Sequence, residues 1–282
     1  MDYIHSRQNP VVKHLIKLAG THRERVRSRQ AVISGAHLIE AALQARFPLR
    51  HVFLRDGSTD AEVRALAGTA VAAGSRVTTL SGELFDAIEQ MPSQTGLLAL
   101  IDWPERMTLD ASRGAVYLEN VQDPGNVGSI LRTAAATATG QVWLSKGCAD
   151  VWSPKVLRAA MGAHFVLDLI EDVTIADLPR ASLAVTTLER ATSLYTAGLP
   201  AEGILAFGAE GGGVSAELLE RADVRLHIPM NDRIESLNVA AAAAVCLFER
   251  QRRQQQDGLK SLLHLPNWPC PPRYLKRWSW PV

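Results

Sequence analysis

Ile228-Pro229-Met230-Asn231-Asp232-Arg233-Ile234-Glu235-Ser236-Leu237-Asn238-Val239 runs a short apolar strand into a polar loop and then into an alanine-rich helix. Two stretches upstream share that design: Asn120-Val121-Gln122-Asp123-Pro124-Gly125-Asn126-Val127-Gly128-Ser129-Ile130-Leu131-Arg132 and Phe207-Gly208-Ala209-Glu210-Gly211-Gly212-Gly213. Each stands where strand character hands over to a loop or helix, and glycine there lets the backbone come close to a ligand or another chain. Three such hand-overs in this order read as parts of one cofactor-binding cleft.

Working outward, apolar strands alternate with helical patterns. Strands are expected at Ala115–Leu118, Gln141–Leu144, Phe165–Ile170, Ser182–Thr186, Ile204–Phe207 and Val224–Ile228. Helices are expected around Ser129–Thr137, from Ser153-Pro154 (N-cap and first-turn proline) to about Ala163, and from about Asn238 to Arg253. Strands separated by helices imply a mostly parallel sheet covered on both faces.

A smaller α/β series precedes it. Apolar residues fall at helical spacing from Asn9 to Leu18, four alternating arginines follow (Arg23, Arg25, Arg27, Arg29), and Ala31–Gly35 reads as a strand and turn. Then come a helix His37–Gln44, a strand His51–Leu54, a helix Ala61–Ala73, a strand Arg76–Leu80 and a last unit near Gln94–Ile101. Residues 102–114 mix Trp, Pro, charge and Gly without period and read as the linker. The chain thus divides into 1–101, a linker 102–114, a second unit 115–254 and an extension 255–282 in which proline and tryptophan interleave. That extension is incompatible with regular helix or central strand; a strap on the body, an RNA-contacting arm and a disordered end are all open readings.

The formal net charge of +1 conceals an asymmetry. Residues 1–50 carry nine Lys and Arg against three Asp and Glu, residues 250–282 carry seven against one, and the middle carries fourteen against twenty-five. Basic ends around an acidic body suit a polyanion, because Lys and Arg that neutralise phosphates release counterions. Three cysteines, Cys148, Cys246 and Cys270, are odd in number and far apart, which points to a reducing cytoplasm and no metal cluster. No apolar run approaches the roughly 18 to 20 residues of a membrane span, and Met1–Pro10 is polar, so an untargeted, membrane-free protein is expected. The eight histidines show no ligand spacing with carboxylates or thiols, and no metal is expected.

In the first motif, Asp123–Asn126 reads as turn chemistry, with Asn126 either capping a helix or, with Arg132 about one and a half turns on, facing a cleft. In the second, Gly208, Glu210 and the three following glycines expose backbone amides. A triphosphatase loop is unsupported, since no Gly-Lys-Ser/Thr follows, and the spacing fails the dinucleotide fingerprint. In the third, Ser236 or Asn238 would serve as an ordinary helix N-cap.

Together the three motifs resemble the SpoU/TrmH family of RNA ribose methyltransferases, in the SPOUT superfamily: Asn126 and Arg132 in the first, Gly208 and Glu210 in the second, Ile228, Pro229, Met230, Ser236, Leu237 and Asn238 in the third. Residues 1–101, with Ser6–Pro10, the Ser34-Gly35 turn and Gln94-Thr95-Gly96, resemble the L30e-like substrate-binding domain that often precedes this catalytic domain. One departure is Ser34, where the family commonly has an acidic residue before the glycine.

The resemblance implies an α/β-knot fold whose C-terminal segment threads a deep trefoil knot, a topology that patterning alone would never suggest. It implies a homodimer and S-adenosylmethionine as cofactor, bound near Thr186, Gly208, Ile228, Met230, Leu237 and Asn238. It implies transfer of a methyl group to a ribose 2′-hydroxyl, with Arg132 the candidate at the hydroxyl and Asn126, Glu210, Ser236 and Asn238 positioning the reactants. An arginine is a poor proton acceptor, so stabilising the developing alkoxide or a neighbouring phosphate suits Arg132 better than general-base work. Looped or single-stranded RNA is the expected substrate, ribosomal before transfer RNA. Base methylation and a non-catalytic assembly factor are the competing readings.

Overall fold

The computed structural model describes residues 2–89, 96–105, 107–200, 202–231, 233 and 236–257. Most of the Pro/Trp-rich extension and the Gln94-Thr95 pair lie outside the described residues. Two sheets organise the chain. The first unit contains β1 (Asp2–Ile4), α1 (Pro10–Gly20), α2 (His22–Ser28), β2 (Gln30–Ser34), α3 (Ala36–Gln44), β3 (His51–Arg55), α4 (Ala61–Ala72), β4 (Arg76–Leu80), α5 (Gly82–Ile88) and β5 (Leu97–Asp102). Its strand order is β1-β4-β3-β5-β2, with β5 antiparallel to both neighbours.

The second unit contains β6 (Ala115–Glu119), α6 (Pro124–Ala136), β7 (Gln141–Leu144), α7 (Pro154–Ala160), β8 (Asp168–Ile170), β9 (Leu183–Thr186), β10 (Thr192–Ser193), β11 (Ile204–Gly208), α8 (Ala216–Arg221), β12 (Val224–His227) and α9 (Val239–Asp257). Every pair in its order β10-β12-β9-β11-β6-β7-β8 is parallel. The central strands β6, β7 and β11 are nearly uninterrupted apolar runs because they are buried on both faces. The chain moves outward from β6 to β8, returns to β9 on the far side, and only then inserts β11 between β9 and β6. Such a reversal opens a crevice beyond the carboxyl ends of the strands.

Several local expectations are corrected. The turn chemistry at Asp123–Asn126 is the first turn of α6, which begins at Pro124 rather than near Ser129; Asp123 caps it by accepting from the Asn126 N–H at 2.8 Å, and proline is at home in a helix's first turn. The arginine alternation is a short helix, α2, with Arg25 turned inward and Arg23, Arg27 and Arg29 exposed. The helix from Pro154 stops at Ala160, where Met161 and Gly162 take left-handed conformations, and a 3-10 turn over Ala163–Phe165 shortens the expected strand to Asp168–Ile170.

One apolar core runs through both units: Ile33, Leu38 and Ile39 of the first join Val156, Leu157, Ala160 and Phe165 of the second. The linker touches the body at Trp103 and Ala111. Trp103 stacks on Trp152 with ring centroids 5.3 Å apart, beneath the Arg29 guanidinium, and Ala111 is buried.

Candidate active site at the carboxyl ends of the parallel sheet

The three motifs leave β6, β11 and β12 at the same edge of the parallel sheet, and Thr186 ends β9 between the last two. Asn126, in the first turn of α6, ties them together. Its side-chain amide donates to the Glu210 carboxylate, 84 residues away, and its carbonyl oxygen accepts from the Asn238 amide at 2.9 Å, 112 residues away. Asn238 is committed on its other side too: its Oδ1 accepts the N–H groups of Ala240 and Ala241 at 3.0 and 3.2 Å, capping α9. The donor and acceptor ends of both amides are thereby fixed.

Backbone approach shapes the second motif. Ala209 and Gly213 close a tight loop through reciprocal bonds of 3.0 and 2.8 Å. A Cβ on Gly208 would lie 2.1 Å from the Gly213 carbonyl oxygen, so no other residue fits beneath that loop. Glu119, at the end of β6, accepts the Ser215 N–H at 2.7 Å and pins the loop's far side. On the first motif's other flank, Asn120 donates its N–H to Ser145 Oγ at 2.9 Å.

The remaining expected residues are spread along this edge. Thr186 Oγ1 donates to the Ala206 carbonyl at 3.2 Å, binding β9 to β11. Ile228 and Met230 are half-buried, whereas Ser236 and Leu237 are exposed. Arg132 lies six positions after Asn126, at about 100° per residue about 120° away from it around the helix, and is exposed. The two side chains therefore leave α6 about 120° apart.

Sequence reasoning missed Glu119, Ser145 and Ser215, whose only signal is their position at strand and loop ends. Arg253 was likewise not singled out; its guanidinium donates to the Leu194 and Ala197 carbonyls and fastens α9 to the segment after β10. The Ser34 hydroxyl donates to the buried Glu89 carboxylate, so an acidic group reaches the Ser34-Gly35 turn from α5's end. One histidine, contrary to expectation, does stand at ligand spacing: His37 and Glu40, one turn apart on α3, meet Glu62 of α4, with ligand atoms all within 4.8 Å. The third group comes from another helix, which no spacing rule sees.

Similar proteins bear on this geometry. The family model described as the SpoU rRNA Methylase family matches residues 114–248, and that of the MRM3-like substrate binding domain matches residues 9–99. The 23S rRNA (guanosine(2553)-2′-O)-methyltransferase RlmP of Bacillus subtilis is 32% identical over 256 residues, covering 88% of this chain and 98% of that protein. The 23S rRNA (guanosine-2′-O-)-methyltransferase RlmB of Pseudomonas syringae pv. tomato is 34% identical over 242 residues, covering 79% and 95%. An AdoMet-bound rRNA methyltransferase from Sinorhizobium meliloti, 24% identical, shares the fold with a TM-score of 0.77 over 89% of this chain and 98% of that one. The fold and these relatives define an α/β protein of the RNA methylase class. The chain belongs to the SpoU rRNA methylase family.

Proposed function

We propose that this chain is an S-adenosylmethionine-dependent methyltransferase that modifies a ribose 2′-hydroxyl of ribosomal RNA. The observation that carries this reading is Asn126, bonded at once to Glu210 and Asn238, which draws three distant motifs into one cluster at the sheet edge where α/β proteins bind ligands. Membership of the family and the names of the RlmP and RlmB relatives support the substrate class. No helix among the described residues is long and apolar enough to cross a membrane.

The residues present fit the cofactor. Gly208 keeps the strand end free of side chain, Ile228 and Met230 offer half-buried apolar surface, and the carboxyl ends of β9, β11 and β12 offer backbone carbonyls and amides. Thr186, Gly208, Ile228, Met230, Leu237 and Asn238 would hold it. Bound S-adenosylmethionine supplies a methyl group on a positively charged sulfur. Arg132 stabilises the negative charge that builds on the ribose oxygen, while Asn126, Glu210, Ser236 and Asn238 hold the loops that orient the sugar.

The exposed position of Arg132 suits a homodimer in which α6 of one subunit faces the cofactor loops of the other. The late insertion of β11 and the return of α9 onto α6 suit a C-terminal trefoil knot. Residues 1–101 form the L30e-like RNA-binding domain, 102–114 the linker and 115–254 the catalytic domain. The two described cysteines are free thiols, in keeping with a cytoplasmic protein. Arg132→Ala tests the assignment: it should abolish methyl transfer to unmodified ribosomal RNA while calorimetric titration still detects S-adenosylmethionine binding. Full activity in that variant refutes it.

A further inference from the structure

We propose that Arg25 and Asp150 are a positioning pair that locks the N-terminal unit against the catalytic loops, so that RNA held by the first unit meets the cleft in one register. This deepens the methyltransferase reading and rests on it. Arg25 is 5% exposed, in α2. Its Nε donates to Asp150 Oδ2 at 2.8 Å, its Nη2 reaches the same oxygen, and its Nη1 donates to the Leu18 carbonyl of α1. The guanidinium thus grips its own unit and the other unit at once, across 125 residues of chain. His22 adds a second contact to Asp150 Oδ2 at 2.9 Å, and Asp150 Oδ1 accepts the Trp152 N–H at 2.9 Å.

Asp150 belongs to the loop that follows β7, and that loop is fastened to the first motif. Ala149 donates its N–H to the Val121 carbonyl at 2.9 Å, Ser145 Oγ accepts from Asn120, and a Cβ on Gly147 would collide with Asn120 Oδ1. Val121 lies two residues before Asp123, the cap of the turn that presents Asn126. A continuous physical chain therefore joins α2 to Asn126: guanidinium, carboxylate, loop 145–150, strand end, helix cap.

Apolar and aromatic contacts also join the units, as in Phe47 against Phe165 and Trp103 against Trp152. Such surfaces are non-directional, and they hold two bodies together without fixing an angle. A guanidinium on a carboxylate is directional. A buried ion pair adds little net stability over an apolar pair of the same shape, so orientation is the contribution that distinguishes it. On the same helix Arg23 faces solvent, where it can meet phosphate, and Arg27, exposed beside it, is paired with Glu24 at 2.6 Å. The helix that offers a cation to phosphate is thus the helix pinned to the loop after β7.

The test compares Arg25→Ala, Asp150→Ala and the double variant in the full chain. Readouts are kcat/KM with unmodified 23S ribosomal RNA transcript and the dissociation constant for S-adenosylmethionine. Each single variant should lose about tenfold to a hundredfold in kcat/KM, the scale of an ångström misplacement. Cofactor affinity should stay within about twofold, and the double variant should be no worse than the poorer single one. Asp150→Glu, which keeps the charge, should recover part of the loss. Val63→Ala, a buried truncation in α4, controls for lost stability alone and should leave kcat/KM within about twofold. Unchanged kcat/KM in the single variants, a loss matched by Val63→Ala, or a parallel fall in cofactor affinity would overturn the proposal. If Asp150→Ala does not fold, Asp150→Asn carries the same expectations. Absence of methyl transfer in the unaltered protein would instead defeat the methyltransferase reading itself.

Discussion

Gly208→Ala is the sharpest perturbation of the candidate site, because the atoms a new methyl group would meet are all backbone. The Cβ would lie 2.1 Å from the Gly213 oxygen, 2.2 Å from its carbonyl carbon and 2.5 Å from the Val214 nitrogen. Contacts under 3.0 Å are essentially never tolerated, so the loop must retreat by about 1 Å. That retreat breaks the two bonds between Ala209 and Gly213, at about 1 kcal/mol each, and leaves overpacking strain of about 1–3 kcal/mol. A total loss of about 3–5 kcal/mol follows, with at least about a tenfold loss in S-adenosylmethionine affinity as the cofactor-facing edge moves. Gly211→Ala and Gly212→Ala are the controls: a Cβ there meets nothing within 4 Å, and stability should change by no more than about 0.5 kcal/mol. Thermal denaturation and calorimetric titration read both quantities. Wild-type stability and affinity in Gly208→Ala, or equal damage in Gly211→Ala, would refute the reasoning.

Burial, reinforced by the Asp150 charge, raises the Glu171 carboxyl from 4.5 to about 7, so its contribution to stability is complete below pH 4.5 and is lost as pH rises through about 7. Glu171→Gln should therefore gain on the unaltered protein by up to about 3 kcal/mol between pH 4.5 and pH 8 in denaturant titrations, and a pH-independent difference would contradict this. The buried His164, held down to about 4, loses stability in the opposite sense as pH falls from 6.5, but it is common to both proteins and cancels in the comparison. Arg250 is 3% exposed, donates to Thr139 Oγ1 at 2.8 Å, and has its pKa lowered by burial to about 10. Arg250→Ala should cost about 2–4 kcal/mol by leaving buried acceptors unmet and a void between α9 and the start of β6, and an unchanged denaturation midpoint would argue against that packing.

The buried strands were legible because parallel strands covered on both faces leave nearly uninterrupted apolar runs, as in Ile204–Phe207 and Val142–Leu144. Short or exposed elements were not. β1 is three residues on a sheet edge, and α5 and α2 are seven-residue helices whose stability comes from tertiary contact more than from pattern. The start of α6 was misread because Asp-Pro-Gly serves turns and helix N-termini alike, and only the strand before it decides between them. Within the site, the order of the three motifs brought Asn126, Glu210 and Asn238 into consideration together, while their bonds span 84 and 112 residues that no local rule bridges. The Arg25–Asp150 contact was hidden for the same reason, since an arginine among four alternating ones gives no sign that it alone turns inward.

The most direct test of the central claim is the identity of the methylated atom. The protein would be incubated with methyl-labelled S-adenosylmethionine and unmodified ribosomal RNA, the RNA digested to nucleosides, and the labelled product resolved by mass analysis. The account expects the label in a 2′-O-methyl nucleoside and its loss with Arg132→Ala. Label on a base, or no incorporation by a folded protein that binds the cofactor, would contradict it.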